Sequence, residues 1–412
     1  LINSLSGRAD KPYPAGKRGN LMTVVDIRNK VTDSRVKLIE ISGSTVYYAE
    51  EKAEEGHYSL FLLEYDRNTK TERVIANCFL GDPAVVLHFY SFPSDIIVVM
   101  ESGESSARLL RFDKQTGQEK NSEELRFVGS FADCRALDES RVIFYTEENE
   151  RHRHLFEEYK KASGFERIAY LYDLEEGRYY YVRDKRLCNL SAEKLIPFDV
   201  AGERMLLILE PYGSEEEKEH CYRNRRWLGD EISDNVWLCP LLDFVVAVKA
   251  DETHLPLELL LSAGTQGLVR YVGQDQNSLY FRAKYYPNSD QRICAVEKAG
   301  GKKTVAAELN LKEGEEPATF FIEPCPTRIY RVTEHEDTYG IQGVLNSSVN
   351  SQYSKELGQF VACVEDRFLV AEYVISDETD SFVFYSIFDL ETNQQQSFEC
   401  RCAVQDDTIV LY

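Results

Sequence analysis

The feature that most constrains the fold is a short motif that recurs along the chain. An apolar, strand-like run ends in an aromatic residue followed by aspartate, and a polar turn comes next. The strong copies are EYDRNTK, RFDKQTGQ, LYDLEEGR and IFDLETNQ, with their aspartates at Asp66, Asp113, Asp173 and Asp389. Weaker copies are VKADETH at Asp251, VEKAGGKK near Lys298 and VLNSSVNSQ near Asn346. Most intervals lie between 40 and 50 residues, and the two longer ones, on either side of Asp173, contain insertions.

A second motif, a turn followed by a short apolar strand, precedes each copy of the first. It reads GSTVYYAE (43–50), SDIIVVME (94–101), SRVIFYTE (140–147), ERMLLILE (203–210), NSLYFRAK (277–284), TRIYRVTE (327–334) and DRFLVAEY (366–373). A 40–50-residue period that carries four short strands is typical of a β-propeller blade. One such blade is predicted to have strands at 317–323, 327–334, 338–345 and 351–357. Because a single blade cannot bury its own faces, the blades must stack and the ring must close.

The two ends of the chain predict how the ring closes. Residues 403–412 (AVQDDTIVLY) repeat the first two strands of a blade and then stop. Residues 24–36 (VVDIRNKVTDSRV) align without a gap to 62–74 (LLEYDRNTKTERV), so residues 22–36 are interpreted as a hairpin of the last two strands. The halves complete each other, which predicts one blade shared by both termini. We therefore expect an all-β chain forming a single propeller of eight four-stranded blades, with seven blades as the alternative.

The strand–aspartate–turn repeat resembles that of the β-propeller superfamily, in particular the bacterial YVTN and pyrroloquinoline-quinone-like repeat kinds. The resemblance covers residues 20–412 and implies the fold only. WD dipeptides and the kelch double-glycine pattern are absent, and no functional residue can be carried over. The domain prediction is a linker or N-terminal arm at 1–20, rich in polar residues, Pro and Gly, followed by the propeller at 21–412.

The charge of the chain excludes two classes of partner. The 412 residues carry a net charge of −22, a field that repels nucleic acid phosphates and anionic membranes. No apolar run approaches the length that spans a bilayer. We therefore expect a monomer that binds a protein or a small anionic or carbohydrate ligand, without nucleic acid binding and without membrane insertion of this segment.

The cysteines indicate whether to expect a metal cofactor and which cellular compartment the protein occupies. Ten cysteines are dispersed without zinc-binding spacing, and only Cys400 and Cys402 are close, on one face if both lie in a strand. We expect no metal, no cofactor, and free thiols in a reducing cytoplasm. Disulfides in an exported protein, with an upstream signal or anchor outside this chain, are the alternative.

The first insertion, residues 148–164, is predicted to contain a short helix. Asn149 would cap it, Gly164 would end it, and Leu155, Phe156 and Tyr159 would form its apolar face. A metal site is disfavoured because His152 and His154, two residues apart, point away from each other on a helix. His152 and Tyr159 are the candidate binding residues of this insertion.

The second insertion, residues 211–243, turns from an acidic run to a basic and aromatic one and contains both tryptophans. Guanidinium groups pair anions bidentately and stack on rings, so this run can bind a carboxylate, phosphate or sugar acid. Alternatively, the arginines neutralise the nearby glutamates. The candidate binding residues here are Tyr222, Arg223, Arg225, Arg226 and Trp227.

Catalytic motifs are missing from the sequence. It contains no G-x-S-x-G elbow, no H-E-x-x-H and no phosphate-binding glycine loop, and Gly300-Gly301 is better interpreted as a hairpin turn. We therefore name no catalytic residues and predict a non-catalytic ligand-binding or protein-interaction scaffold that uses insertions 148–164 and 211–243 on one face. The alternatives are a carbohydrate-active hydrolase or lyase with its site at the channel mouth, and a sensor domain of a larger anchored protein.

Overall fold

The computed structural model describes residues 11–12, 23–28, 34–54, 57–81, 87–163, 167–188, 190–211, 233–262, 267–285, 291–309, 328–376, 381–405 and 408–412. The fold is all-β, an eight-bladed β-propeller, as the repeat predicts. Two N-terminal strands precede the first three blades whose strands are consecutive in the chain. The bounds are β1 Lys11–Pro12, β2 Thr23–Asp26, β3 Ser34–Ser42, β4 Thr45–Glu54, β5 His57–Asp66, β6 Thr71–Gly81, β7 Leu87–Ser91, β8 Asp95–Gly103, β9 Ser106–Asp113, β10 Glu119–Arg126, β11 Ser130–Ala136, β12 Arg141–Glu147, β13 Ile168–Asp173 and β14 Arg178–Val182.

The remaining strands form the other blades. They are β15 Leu195–Val200, β16 Glu203–Pro211, β17 Asp234–Pro240, β18 Glu258–Leu261, β19 Gly267–Gln274, β20 Ser278–Tyr285, β21 Gln291–Glu297, β22 Lys303–Glu308, β23 Ile329–Glu334, β24 Thr338–Leu345, β25 Asn350–Ser354, β26 Gln359–Val364, β27 Phe368–Ser376, β28 Ser381–Asp389, β29 Gln395–Glu399, β30 Cys402–Gln405 and β31 Thr408–Leu411.

Seven sheets take strands that are consecutive in the chain: β3–β6, β7–β10, β11–β14, β15–β18, β19–β22, β23–β25 and β26–β29. Six copies of the second sequence motif supply the second strand of their sheet, from β4 to β27, and the copy at 327–334 supplies β23, the first described strand of the β23–β25 sheet. In the β23–β25 sheet, the described strands match the predictions at 327–334, 338–345 and 351–357. The remaining strand predicted there, 317–323, lies outside the described residues.

The eighth sheet joins the two ends of the chain, in the order β1-β2-β31-β30. This confirms the shared blade and the count of eight, but the N-terminal contribution differs from the predicted 22–36 hairpin. Its two strands lie in different sheets, since β3 begins the next blade, and the short β1 comes from within the segment predicted as an arm. β2 runs parallel to β31, with Thr23 opposite Thr408 and Asp26 opposite Leu411. In an antiparallel four-stranded blade the second and fourth strands run in the same direction. β2 leads into the first strand of the next blade, as a fourth strand does. It therefore runs parallel to β31, the second of the two strands that the C-terminus contributes.

The recurring aspartate has a structural explanation in the turn that follows it. One carboxylate oxygen of Asp113 accepts hydrogen bonds from the backbone N–H groups of Gln115 (3.0 Å) and Thr116 (2.7 Å). The same pattern, with donors two and three residues on, recurs at Asp66, Asp173 and Asp389. Each aspartate thus satisfies N–H groups that a tight turn leaves unpaired. The repeat is therefore a turn signal and carries no information about function.

In the described part of the chain three α-helices interrupt the strands: α1 Arg153–Ser163, α2 Lys185–Cys188 and α3 Leu241–Lys249. α1 confirms the helix predicted in the first insertion. The weak repeat copy at Asp251 is wrong, because its apolar residues end helix α3 and not a strand. Part of the second insertion is also regular structure, since residues 234–240 form strand β17.

The buried cores lie between consecutive sheets within each of two compact units. One unit comprises Tyr47–Glu64 and Arg73–Val269, called here the central unit. Two of its clusters include Phe127, Phe144 and Tyr170 in one, and Tyr145, Leu206 and Phe244 in the other. The second unit comprises the described residues of Leu1–Val46, Tyr65–Glu72 and Arg270–Tyr412, with its own clusters between β23–β29 and around β2 and β31.

The cysteine pair does not share a strand as the sequence suggested. β29 ends at Glu399 and β30 begins at Cys402, so Cys400 lies in the connection between them. The eight cysteines in the described ranges are free thiols, and Cys221 and Cys325 fall outside those ranges. None of the helices in the described part of the chain has the length and apolarity that crossing a bilayer requires.

Candidate functional site

A cavity of about 680 Å³ in the central unit is the candidate site. It lies where helix α1, strands β13 and β14, helix α2 and the segment after α3 come together. Its wall is apolar at Val128, Leu155 and Ile168 and aromatic at Tyr159 and Tyr181. The remaining lining residues are polar or charged: Arg183, Asp184, Lys185, Arg186, Thr253 and His254.

Helix α1 is fixed against the sheet through the short 3-10 helix Glu150–His152 that directly precedes it. The side chain of Asn149 accepts a hydrogen bond from the backbone N–H of His152 (2.9 Å), as expected for a cap. The His152 Nδ1 accepts from the backbone N–H of Gly129 (3.0 Å). Gly129 has a φ of +94°, and a Cβ there would collide with the ring of Phe156, which is buried in the core. The glycine therefore lets α1 approach closely enough to place Leu155 and Tyr159, one turn apart, on the cavity wall.

The two tyrosines give the cavity an aromatic wall with polar ends. Tyr181 is 44% exposed, and its ring centroid lies 5.2 Å from that of Tyr170. Tyr159 is half-buried, and burial raises the pKa of its phenol well above the ordinary value although Arg183 opposes this. Tyr159 is therefore neutral at any physiological pH. Both rings offer flat apolar faces on which an aromatic or aliphatic molecule can pack.

Asp184 is the one acid among the described lining residues, and its carboxylate is fully paired inside the protein. Its carboxylate accepts from the Nε of Arg186 (2.9 Å), from a second guanidinium N–H, and from the backbone N–H of Leu255 (2.8 Å). Burial disfavours the ionised form, but these hydrogen bonds outweigh it and hold the pKa of Asp184 below its usual range. Asp184 is therefore an anchor for α2 and the segment after α3, and not a free base.

The guanidinium of Arg186 is likewise bound to partners within the protein. Besides Asp184, its Nη2 donates to the carbonyl of Leu255 (3.0 Å), and its guanidinium lies 4.8 Å from the ring centroid of Trp237. The Trp237 Nε1 donates to Glu210 (2.8 Å), which fixes the ring. The pKa of Arg186 is raised chiefly by its bond to Asp184. Arg186 thus braces the cavity wall and contributes no uncompensated charge.

The other two cations differ in their partners. The Nε of Arg183 pairs with Asp251 at 2.8 Å, and both side chains are more than half exposed, at 51% and 60%. Lys185 is exposed, and among the described residues it has no acidic partner. The cavity rim therefore carries one ammonium group that is available to an anion.

The remaining polar groups do not assemble a recognisable catalytic set. Thr253 and His254 hydrogen-bond to each other through Oγ1 and Nδ1 (3.0 Å), on the exposed side. The nearby thiol of Cys188 donates to the carbonyl of Val182 (3.1 Å), and burial raises its pKa to about 12, so it is a poor nucleophile. In the ranges that the structure describes, no three His, Cys, Asp or Glu side chains cluster as metal ligands.

Of the residues chosen from the sequence, Tyr159 lines this cavity and His152 holds helix α1 beside it. Tyr222, Arg223, Arg225, Arg226 and Trp227 lie outside the described residues, as does Gly164. Sequence reasoning missed Tyr181, Arg183 and Lys185. The run RYYYVRDKR at 178–186 combines aromatic and basic residues and was the available signal.

Comparisons with known proteins give likenesses of fold. No protein-family model and no curated protein matches the sequence. An uncharacterised protein from Listeria monocytogenes is 11% identical, with 90% of this chain and 95% of that chain covered and a TM-score of 0.45. An oligogalacturonate lyase in complex with manganese is 13% identical, with 94% and 83% covered and a TM-score of 0.41. The β-propeller domain of the trilobed protease from Pyrococcus furiosus is 9% identical, with 88% and 92% covered and a TM-score of 0.39.

Proposed function

We propose that the protein is a non-catalytic binding module whose ligand is a small molecule with an apolar or aromatic body and a negatively charged group. The observation that carries the proposal is the composition of the cavity: one side is apolar and aromatic, and the rim holds the ammonium of Lys185, which has no acidic partner among the described residues. Concave sites that combine a mostly apolar lining with a few polar groups are the usual places for small ligands. The first insertion takes part through Leu155 and Tyr159.

The surroundings strengthen the case for an anion. The chain as a whole carries a charge of −22, whereas the described residues that line the cavity include three cations and one acid, which differs from the general surface. An exposed anion would be repelled by most of that surface and attracted here. Asp184 and Arg186 are locked in mutual hydrogen bonds, which keeps the wall rigid and lowers the entropic cost of binding.

The proposal is tested with a pair of fluorescent probes that differ in charge. 8-Anilinonaphthalene-1-sulfonate carries an anionic group on an aromatic body, and N-phenyl-1-naphthylamine has nearly the same body without the charge. We expect saturable binding of the anionic probe at one site per chain, several-fold tighter than the neutral one. A Leu155→Asp variant should lose this binding, since it places a negative charge on the apolar wall.

The matched control is Val246→Asp, which makes the same kind of change on helix α3, where Val246 is 59% exposed and outside the cavity lining. This variant should bind the anionic probe as the unmodified protein does. Equal loss in both variants, or no saturable binding in the unmodified protein, would overturn the proposal. A polysaccharide and glycoside activity screen covers the enzyme alternative, because clear turnover contradicts a non-catalytic module.

A further inference from the structure

Resting on the proposed function, we further propose that the cavity selects ligands with one negative charge over ligands with two, and that Asp251 sets this selectivity. Asp251 is not part of the cavity lining. It reaches the rim only through its ion pair with Arg183.

The selectivity follows from a count of charges around the cavity. Among the described residues, three cations line it, Arg183, Lys185 and Arg186. Asp184 compensates Arg186 through paired hydrogen bonds, and Asp251 compensates Arg183 at 2.8 Å. Of these lining cations, Lys185 has no acidic partner among the described residues, so the charge of the described lining is left uncompensated at this one position. A monoanion neutralises the site, whereas a dianion leaves one negative charge uncompensated in a partly apolar cavity, which costs free energy.

The geometry of the turn places Asp251 where it competes with a ligand for Arg183. Asp251 follows helix α3 with a φ of +62°, and its backbone N–H donates to the carbonyl of Val248 (3.0 Å). The next residue, Glu252, donates from its backbone N–H to the carbonyl of Ala247 (3.1 Å). These bonds fix the turn, so the carboxylate of Asp251 is presented to Arg183 without a large loss of side-chain freedom. Asp251 thus occupies the place that the second charge of a dianion would need.

Because the Arg183–Asp251 pair is exposed, the inference can be tested with a substitution that leaves the protein folded. Ion pairs between exposed side chains contribute on the order of 0–1 kcal/mol to stability. Substitution of Asp251 should therefore leave the fold intact and free Arg183 for a ligand. The expected consequence is a change in charge preference and not a general loss of binding.

The test compares two ligands of nearly equal shape, 2-naphthyl sulfate and 2-naphthyl phosphate, by calorimetry at pH 8. At this pH a phosphate monoester carries close to two charges, and the sulfate carries one. The unmodified protein should bind the sulfate more tightly. In Asp251→Asn the phosphate should gain about fivefold in affinity relative to the sulfate, since a charge-assisted bond to Arg183 becomes available.

Glu252→Gln is the matched control, because Glu252 is an exposed acid next to Asp251 that forms no ion pair among the described residues. It removes the same formal charge without freeing Arg183, and the ratio of the two affinities should stay as in the unmodified protein. An equal change of the ratio in both variants, or no change in Asp251→Asn, would overturn the inference. The proposed function fails separately, if neither naphthyl ligand nor the anionic fluorescent probe binds to any of the proteins.

Discussion

Two groups of charged residues in the central unit contain the same types of side chain but differ in how completely their charges are paired. In the second blade, Asp95, Arg111, Asp113 and Lys120 form a closed network. The Asp95 carboxylate is completely buried and accepts from the Nη2 of Arg111 (2.6 Å) and from the Nζ of Lys120 (2.5 Å). Lys120 also pairs with Asp113 at 2.9 Å. Two acids and two cations compensate each other, and this network is part of the scaffold.

Around the cavity the compensation is incomplete. Asp184 and Arg186 form a scaffold pair like those of the second blade, and Arg183 and Asp251 form an exposed pair. Lys185 is left over among the described residues. The comparison teaches that burial and completeness of pairing separate charges that stabilise the fold from charges that can serve a ligand. Four predictions follow from this difference, ordered by the size of the expected effect on stability.

The largest effect is expected at Asp95. Asp95→Ala removes the buried acid and leaves Arg111 and Lys120 without their common partner. Removing one partner of a buried charge pair costs about 3 kcal/mol or more. Denaturant unfolding at pH 7 measures this loss, and Asp113→Ala should lose less because Asp113 is partly exposed. A loss below that of Asp113→Ala would contradict the assignment of Asp95 to the scaffold.

A smaller loss, about 2 kcal/mol, is expected for Asp184→Asn, which keeps the shape of the side chain but removes the charge that holds Arg186. The unfolding free energy measures it, with Asp251→Asn as the control that should change stability by under about 0.5 kcal/mol. Similar losses in the two variants would contradict the assignment of Asp184 to the scaffold and of Asp251 to the exposed rim of the cavity.

Acid should weaken the scaffold pairs. Burial opposes ionisation of Asp95, but hydrogen bonds from Lys120 and Arg111 hold its pKa below the ordinary value. At Asp389, where burial is likewise outweighed by bonds from Arg367, the pKa falls to about 2. A depressed folded-state pKa stabilises the protein above the unfolded value near 4, and this contribution is lost as the pH falls through the folded value.

The melting temperature should therefore fall steadily from about pH 5 towards pH 2. The destabilisation caused by Asp95→Ala should become smaller over the same range, because acid already neutralises the group that the substitution removes. A destabilisation that is constant with pH would exclude an ionised Asp95 in the folded protein.

The smallest effect on stability is expected for Lys185→Gln, which should change the unfolding free energy by less than about 0.5 kcal/mol. Its effect should appear in binding, as a several-fold weaker affinity for the anionic naphthalene probe with little change for the neutral one. Lys249→Gln is a useful contrast, because Lys249 pairs with Asp173 at 2.7 Å and lies outside the cavity lining. That variant should lose stability and keep its probe affinity.

Much of the scaffold could be predicted from the sequence because it depends on local chemistry that repeats. Asp66, Asp113, Asp173 and Asp389 bond to the turns that directly follow them, so their role is visible within a few residues. The same local signal led to a wrong prediction of a hairpin at residues 22–36. There Asp26 also accepts from the backbone N–H two residues on, at Arg28 (3.2 Å), yet the strand that follows belongs to the next blade. Pairing between blades is a long-range property that a local motif does not contain.

The candidate site was harder to predict because its parts come from segments that are distant in sequence. Leu155, Tyr181 and His254 meet only after two blades have formed, and Asp251 bears on the site through Arg183 alone. The charge of Lys185 stands out only when the partners of its neighbours are known. The sequence did predict a helix with Tyr159 on its apolar face, and Tyr159 lines the cavity.

The parallel pairing of β2 with β31 has a consequence for synthesis on the ribosome. Strand β2 carries residues 23–26, and its partner β31 carries residues 408–411. At about 5–20 residues per second, roughly 20 to 80 seconds pass between the translation of the two. For that time the N-terminal strand has an unsatisfied edge, which invites pairing with other chains. During synthesis the edge of β2 that pairs with β31 therefore stays open until residues 408–411 have emerged.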